Sequence, residues 1–445
     1  MGKTKKEIRA VLGKIFRGML YILPFALIFS YYPVMRIGAG SNRAMNFEFS
    51  ITLFWLVVFD LISFWILIWR KEFRVREFIK AKWVWLVFPI FVTISLFWTE
   101  NFLRGVLTVG VLWLIYFAIF SFFELKEFLD FKFKKNFLRV FFSAGLFISV
   151  WCLVQCILDL VGVSREVSLM CAGCTTEMFG FPHPNGFAIE PQFMGNLLLA
   201  PTIFSAYLVL NKEIISGDKI LEKKFARILL LFVFAMTLFL TFSRGAIYAF
   251  IVAMIFMVAM EVVWRKDFKV FSVVLISGFA FLFTLNLQGI FAQVSKTNDT
   301  YLTGIQKVLN HLSLGIIDFG EVDGNSREGD FMTSQENLTG VEKEDSGDMG
   351  LEEGKKIGDG GIANDNEAVF DGYVEESTDV RVGLTNSAMR VWRGEFRTVV
   401  FGVGIGGAGE ALYRAGETGS SKEIVQNEYA SLLLETGIIG IILFV

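Results

Sequence analysis

An all-α polytopic integral membrane protein with about ten transmembrane helices and one large external loop is the fold class this sequence predicts, and three observations predict it. Of 445 residues, 54% are hydrophobic, 16% aromatic and only 19% charged, against roughly 45–50% apolar and 25% charged in soluble chains. The apolar residues fall into runs long enough for a hydrocarbon core of ~30 Å, which takes about 20 helical residues. Lys and Arg gather in every second loop between those runs. A purely soluble chain is thereby disfavoured. Disorder throughout, collagen-like repeats and a cysteine-stapled mini-protein are excluded, because hydrophobicity is high, no short-period glycine repeat occurs and there are only 4 Cys. With His183 and His311 the only histidines, a zinc site built mainly on histidine is excluded as well.

The elements follow in chain order. Residues 1–18 form a basic cytoplasmic tail, in which Lys3, Lys5, Lys6, Arg9, Lys14 and Arg17 precede the first apolar run without a small-residue cleavage site after it, so the segment reads as a retained anchor. Spans are expected at 19–35, 50–69, 83–98, 105–123, 137–161, 184–210, 228–242, 246–264, 270–290 and 431–445. The run at 228–242 is short for a span, and Pro191 and Pro201 predict a kinked or partly re-entrant path in 184–210. The tail and alternate loops hold 25 Lys and Arg, against 5 in the intervening short loops (Arg36, Arg43, Arg104, Arg165 and Arg244). By the positive-inside rule the amino terminus is cytoplasmic. Spans one to nine then occupy 19–290, an external loop occupies 291–430, and 431–445 is a last span; Ile438 to Val445 are still apolar, so the chain is expected to continue.

The external loop is divided by composition. From Asp318 to Asp379 there are 19 acidic residues against four basic ones. Such a stretch cannot bury enough apolar surface to offset the entropy of ordering, so 318–380 reads as a disordered acidic insertion. The alternative is a calcium site at Asp359, Asn364, Asp365, Asn366 and Glu367, whose spacing does not match an EF-hand loop. The formal net charge of -2 therefore sums an insertion of -15 and a remainder of +13.

Three groups of residues are candidates for chemistry. Arg244, in Thr241-Phe242-Ser243-Arg244-Gly245-Ala246, holds a guanidinium at a membrane boundary, where it suits either a lipid diphosphate or snorkelling to headgroups. Arg390, Arg393 and Arg397 have helical spacing and precede Gly402-Val403-Gly404-Ile405-Gly406-Gly407; one helix face would present three cations, to an anion or a membrane surface. Alternate glycines at Gly402 and Gly404 permit close backbone approach to a ligand or another helix; a dinucleotide fingerprint is disfavoured because no strand-helix-strand unit surrounds them. Gln426-Asn427-Glu428-Tyr429 at the entrance of the last span can orient a sugar or cap a helix, and Glu435 inside that span needs a partner, with Arg244 and Arg390 as candidates. His183 lies in Pro182-His183-Pro184 near the expected cavity, whereas His311 reads as structural. Asp60 and Glu190 are either functional or paired within the bundle. Cys171 and Cys174 suit a local disulfide or free thiols, and Cys152 and Cys156 suit packing as small hydrophobes.

The Ser243-Arg244-Gly245-Ala246 turn, the long loop with Arg390 before Gly402-Val403-Gly404, and Asn427-Glu428-Tyr429 with Glu435-Thr436-Gly437 resemble the O-antigen ligase and polymerase superfamily. Ser95-Leu96-Phe97-Trp98-Thr99 and Phe181 to Leu199 around Pro184-Asn185-Gly186 extend the resemblance over most of 80–445. It implies a metal-independent glycosyltransferase with no cofactor, which moves a glycan from a polyprenyl diphosphate to an acceptor hydroxyl on the outer face. Arg244 and Arg390 match the family's diphosphate-binding arginines, with Arg393 assisting; Gln426 and Glu428 stand with them in the catalytic set, while Asn427, Gly402, Gly404 and His183 are assigned to substrate binding. Ligases place a histidine where this chain has Gln426. Glutamine cannot accept a proton at neutral pH, which favours a polymerase over a ligase and leaves Glu428 as a candidate base. The implied partners are a polyprenyl-diphosphate-linked oligosaccharide, a glycan or glycolipid acceptor, membrane lipids and chain-length or export proteins, with no nucleic acid; the implied location is the inner (plasma) membrane. A lipid-glycan flippase or other transporter is the alternative, and a non-catalytic scaffold the third reading. A reporter active only outside the cytoplasm is expected to work when inserted after Gly350 and to be silent after Gly217; the reverse pattern would overturn the orientation.

Overall fold

The computed structural model describes residues 2–30, 33–37, 47–70, 75–161, 177–178, 181–188, 191–211, 221–294, 300–313, 368–421, 425 and 427–444. The expected acidic insertion lies outside the described residues through 367, as do the calcium candidates, Cys171, Cys174, Glu190 and Gln426. The chain is all-α, with two small two-stranded ribbons, β1 (Pro33–Ile37) with β2 (Phe47–Ser50) and β3 (Glu177–Met178) with β4 (Phe181–Pro182). Its helices are α1 (Gly2–Ile28), α2 (Ile51–Arg70), α3 (Val75–Ile94), α4 (Phe102–Glu124), α5 (Phe131–Leu160), α6 (Pro191–Leu210), α7 (Lys224–Leu240), α8 (Arg244–Ala259), α9 (Val270–Val294), α10 (Tyr301–Leu312), α11 (Ala368–Gly394), α12 (Phe396–Phe401), α13 (Ala408–Arg414) and α14 (Glu428–Phe444).

Among the described residues seven helical stretches are long and apolar enough to cross a membrane: Glu7–Ile28, Ile51–Trp69, Phe102–Glu124, Phe131–Leu160, Pro191–Leu210, Arg244–Arg265 and Val270–Val294. The other three expected runs are also helical but shorter, namely Trp83–Phe97 and the 17-residue helices α7 and α14. The first span is displaced from the expected 19–35. Its helix takes in the basic tail, because Arg9 pairs with Glu127 at 2.7 Å and Arg17 with Asp130 at 3.3 Å, docking the tail on the α4–α5 corner. Asp130 also caps α5 by accepting from the Phe133 N–H at 2.6 Å.

The short helix α7 is the centre of the larger core. Phe234 through Leu240 are all buried, and they pack among α5, α6 and α9 with Ile148, Leu198, Phe250 and Val273. A helix apolar all round belongs inside. Since lipid is as apolar as leucine, such packing rests on close fit more than on expulsion of water. Gly145 supplies fit on α5: a Cβ there would lie 3.1 Å from the Phe234 ring and 3.2 Å from Pro201. A second core joins Leu12, Phe16 and Leu20 of α1 to Trp55, Phe59 and Ile66 of α2.

The glycine string forms a strap between helices. Gly402, Gly404 and Gly406 have φ of 75°, 92° and 74°. The N–H groups of Val403 and Gly404 donate to the Leu434 and Glu435 carbonyls at 2.9 and 3.0 Å. Gly437, with φ 65°, interrupts α14 opposite them. Across the other side Thr99 Oγ1 donates to the Ile405 carbonyl at 2.7 Å, and the Ile405 N–H to Ser95 Oγ at 3.2 Å. A Cβ at Gly402 would fall 2.3 Å from the Glu435 backbone, and one at Gly437 2.3 Å from the Val400 carbonyl oxygen. Alanine at either position is expected to cost roughly 2–4 kcal/mol, from a disfavoured φ plus overpacking. Thermal unfolding in detergent checks this, with Gly278→Ala, where a Cβ meets nothing within 4 Å, as the neutral comparison.

Candidate functional site

The turn between α7 and α8 carries the site. Thr241 Oγ1 donates to the Leu238 carbonyl at 2.7 Å as α7 ends, and Ser243 caps α8 by accepting from the Ala246 N–H at 3.4 Å. Between them buried Phe242 adopts φ 46°, a left-handed conformation that costs a non-glycine residue on the order of 1 kcal/mol or more. Helix α6 lies directly against the turn: a Cβ on Gly195 would be 2.6 Å from Ser243 Cβ and 2.9 Å from Thr241 Oγ1.

Both histidines of the chain serve this turn. His183 Nε2 hydrogen-bonds the Thr241 carbonyl, and its ring lies 5.7 Å from that of Phe242. His311 Nε2, from α10, reaches the Phe242 carbonyl at 3.4 Å. A carbonyl accepts only, so each ring presents Nε2–H. The His183 segment is fixed by Gln155 of α5, whose amide donates to Asn185 Oδ1 and the Gly186 carbonyl, both at 3.1 Å, and accepts from the Gly186 N–H at 2.8 Å. Tyr248 adds a hydrogen bond from its hydroxyl to the Leu312 carbonyl, tying α8 to the end of α10. Burial pushes His183 down from 6.5 to about 4, against the raising effect of the Thr241 carbonyl. Burial first and then the Arg244 charge bring His311 to about 4. Both rings are neutral at physiological pH.

Cations therefore come from arginine. Arg244 is the first residue of α8, and beside it a Cβ on Gly245 would meet nothing within 4 Å. Arg381, on α11, lies within electrostatic range of Arg244. A helix amino terminus with its outward N–H groups and two guanidinium groups is suited to a polyanion such as a diphosphate. Arg381 has no counterpart among the sequence candidates. It stands nine residues before Arg390, about 13 Å along α11 and on the opposite helix face, so the spacing that marks the other arginines does not include it.

The remaining candidates occupy different places. Arg390 is held by Glu417: its Nε donates to Oε1 at 2.9 Å, while Nη2 donates to Oε2 at 2.5 Å and to Ser387 Oγ at 2.9 Å. The Arg390 and Ser387 donors keep the Glu417 carboxyl down at about 2. Arg393 sits 6.0 Å from the Trp392 ring centroid. Arg397 does not share their helix, because Glu395 is extended at φ -134° and ψ 144° and α12 starts afresh after it; the expected three-cation face is thus two arginines on α11 and one on α12. Gly402 and Gly404 face protein backbone in the strap. Asn427 caps α14, accepting from the Tyr429 and Ala430 N–H groups at 3.1 and 3.2 Å, and Glu428 is exposed beside it. Glu435 accepts from the Ala408 N–H at 3.4 Å, with Arg104 as the cation acting on it. Neither Arg244 nor Arg390 is its partner. Among the described residues no group of three or more His, Cys, Asp or Glu is placed to hold a metal ion.

The helices, the boundary turn and its arginines define a multi-pass membrane protein with an anion-suited site at one end of the bundle. Residues 229–445 match the family model described as O-Antigen ligase. That portion, from α7 to α14, is similar to this family, and the match supports reading the protein as an O-antigen ligase-family membrane protein. No curated protein and no solved structure matches the chain.

A histidine held neutral in the fold contributes stability above its unfolded value and loses it as pH falls towards the folded one. Thermal stability of the wild type is expected to drop between pH 6.5 and about 4 more than that of the His183→Gln/His311→Gln double variant, whose amides still donate. Parallel pH profiles of melting temperature in detergent would show the difference, and coincident profiles would exclude it.

Proposed function

We propose that this protein transfers a glycan from a polyprenyl-diphosphate carrier to an acceptor hydroxyl on the outer face of the inner (plasma) membrane, with its amino terminus in the cytoplasm. The observation that carries the reading is Arg244 at the amino terminus of α8, with Arg381 within electrostatic range of it, inside the part of the chain that matches O-Antigen ligase. In the reaction the acceptor oxygen bonds to the anomeric carbon, the bond from that carbon to the diphosphate oxygen breaks, and the hydroxyl proton passes to a base. Negative charge grows on the departing diphosphate. Fixed guanidinium groups stabilise it without reorganising, which is the form of catalysis that weighs most in a partly dry site.

Roles then follow from position. Arg244 and Arg381 grip the diphosphate, and the neutral histidines hold the backbone from which Arg244 extends. Arg390 becomes available to a phosphate only by exchange with Glu417, so it guides the loop and the incoming donor, with Arg393 on the next turn. Glu428, exposed at the entrance of α14, is the proposed base. Asn427, Gly402, Gly404 and His183 shape the acceptor side and its supports; Gln426, outside the described residues, is assigned with them on the family resemblance alone. Glutamine at 426 in place of a ligase histidine favours extension of a glycan chain over its transfer to a lipid core.

In liposomes supplied with a lipid-diphosphate oligosaccharide, Arg244→Ala and Arg381→Ala are each expected to lower transfer by about 100-fold or more, the scale seen when one donor to a developing anion is removed. Arg244→Lys should recover only part, because an ammonium lacks the bidentate fork. Undiminished product from either alanine variant, with the protein still in the membrane, would sink the reading.

A further inference from the structure

At the end of the bundle remote from the Thr241–Arg244 turn, α6 and α8 part to leave a groove. Its cavity of about 410 Å³ has Phe204 and Tyr207 on the α6 wall and Ala253, Phe256 and Met257 on the α8 wall, a size within the roughly 300–1,000 Å³ of small-molecule sites. Both walls belong to stretches long enough to cross a membrane. Beyond Ala259 helix α8 changes form, continuing as a π-helix over Met260–Arg265 and ending at Lys266, whose φ is 54°. Widened turns of this kind are frequent at functional sites.

The mouth of the groove is polar and rich in donors. Arg265 Nη1 donates to Glu261 Oε1 at 2.8 Å on its own helix and to Asn211 Oδ1 at 3.2 Å just beyond α6, so one nitrogen clasps both walls. Among the described residues, the other guanidinium nitrogens make no hydrogen bond, although a guanidinium has five N–H donors to offer. Asn211 Nδ2 is buried without a hydrogen-bond partner. Lys266 is exposed at the next position, between Trp264 at 71% and Phe268 at 65% exposure. Exposed aromatic and basic residues together mark the depth of lipid headgroups. Lys269 is paired with Asp267 at 3.1 Å and Glu261 with Arg265, so among the described residues of this helix end the charge left over, that of Lys266, is positive.

We propose that this groove binds an anionic phospholipid, with an acyl chain between Phe204 and Met257 and the phosphate on Arg265 and Lys266. Basic pockets between spanning helices take anionic headgroups in this manner. A zwitterionic lipid would fit the apolar walls equally well but would place its own cation beside Lys266. The site is separate from the proposed glycan chemistry, which lies about 30 Å away at the other end of α8 and its π-helical extension.

The full chain, purified in detergent, is to be mixed with phosphatidylglycerol or phosphatidylcholine of the same acyl chains, and the lipids retained counted by native mass spectrometry. One phosphatidylglycerol should survive conditions that strip phosphatidylcholine. Ala253→Trp, which fills the groove, should weaken retention by about tenfold, and Lys266→Ala by about fivefold. Gly278→Ala should leave it unchanged. Equal retention of the two lipids, or phosphatidylglycerol retention indifferent to both variants, would overturn the proposal. Should Ala253→Trp fail to accumulate, Lys266→Glu tests the same site from the headgroup side, with more than the alanine's loss expected and no loss overturning it.

Discussion

Backbone that leaves the helix at the edge of a bilayer must find partners for its carbonyls within the protein, because little water is present to serve them. The turn from Thr241 to Ser243 faces that constraint directly. Its two consecutive carbonyls, at Thr241 and Phe242, are each met by a histidine from a different segment. Those histidines are in turn placed by the Gln155 amide on one side and by α10 on the other. The left-handed Phe242 survives because its neighbours over-determine it. Arg244 follows immediately, so its position is inherited from the whole arrangement.

The electrostatics follow from the same burial. Imidazoles kept neutral by desolvation donate hydrogen bonds without adding to the positive charge at the turn, leaving Arg244 and Arg381 as its cations. Two guanidinium groups within range repel one another, and an anion between them turns that repulsion into attraction. Arg390 shows the opposite case. Its fork is matched by a carboxylate on the same protein, and an exposed pair of this kind contributes little to stability while fixing geometry.

Much of the fold was legible in the sequence because apolar runs and basic loops respond to the bilayer, which acts on every residue alike. Among the described residues each of the ten runs contains a helix, and seven of these helical stretches are long and apolar enough to cross a membrane. The start of α1 was less legible, since its basic residues read as a tail until Glu127 and Asp130 are brought beside them. Arg244 could be found from the polar interruption between two runs. The use of both histidines could not, because each contact spans more than 50 residues and leaves no local pattern; the separations are 58 and 69. Arg381 escaped for a geometric reason, lying on the other face of α11 from Arg390. Gly394 was a visible signal for the helix break that separates Arg397 from its neighbours. Alternate glycines signal close approach without naming the neighbour: what approaches Gly402 is the backbone of α14, and what approaches Gly404 is Thr99.

The strap around Ile405 also bears on how the chain is divided. Its anchors Ser95 and Thr99 precede residue 229, where the family match begins, and Gly406 lies against Gly105 in the same early region. The domain recognisable by family is therefore not a physical module. Its loop helices are laced into the amino-terminal half, and that half in turn supplies His183 to the Thr241 carbonyl. An exchange of halves between two such proteins would have to match the surface of the α3–α4 corner residue for residue, whatever chemistry each half brought with it.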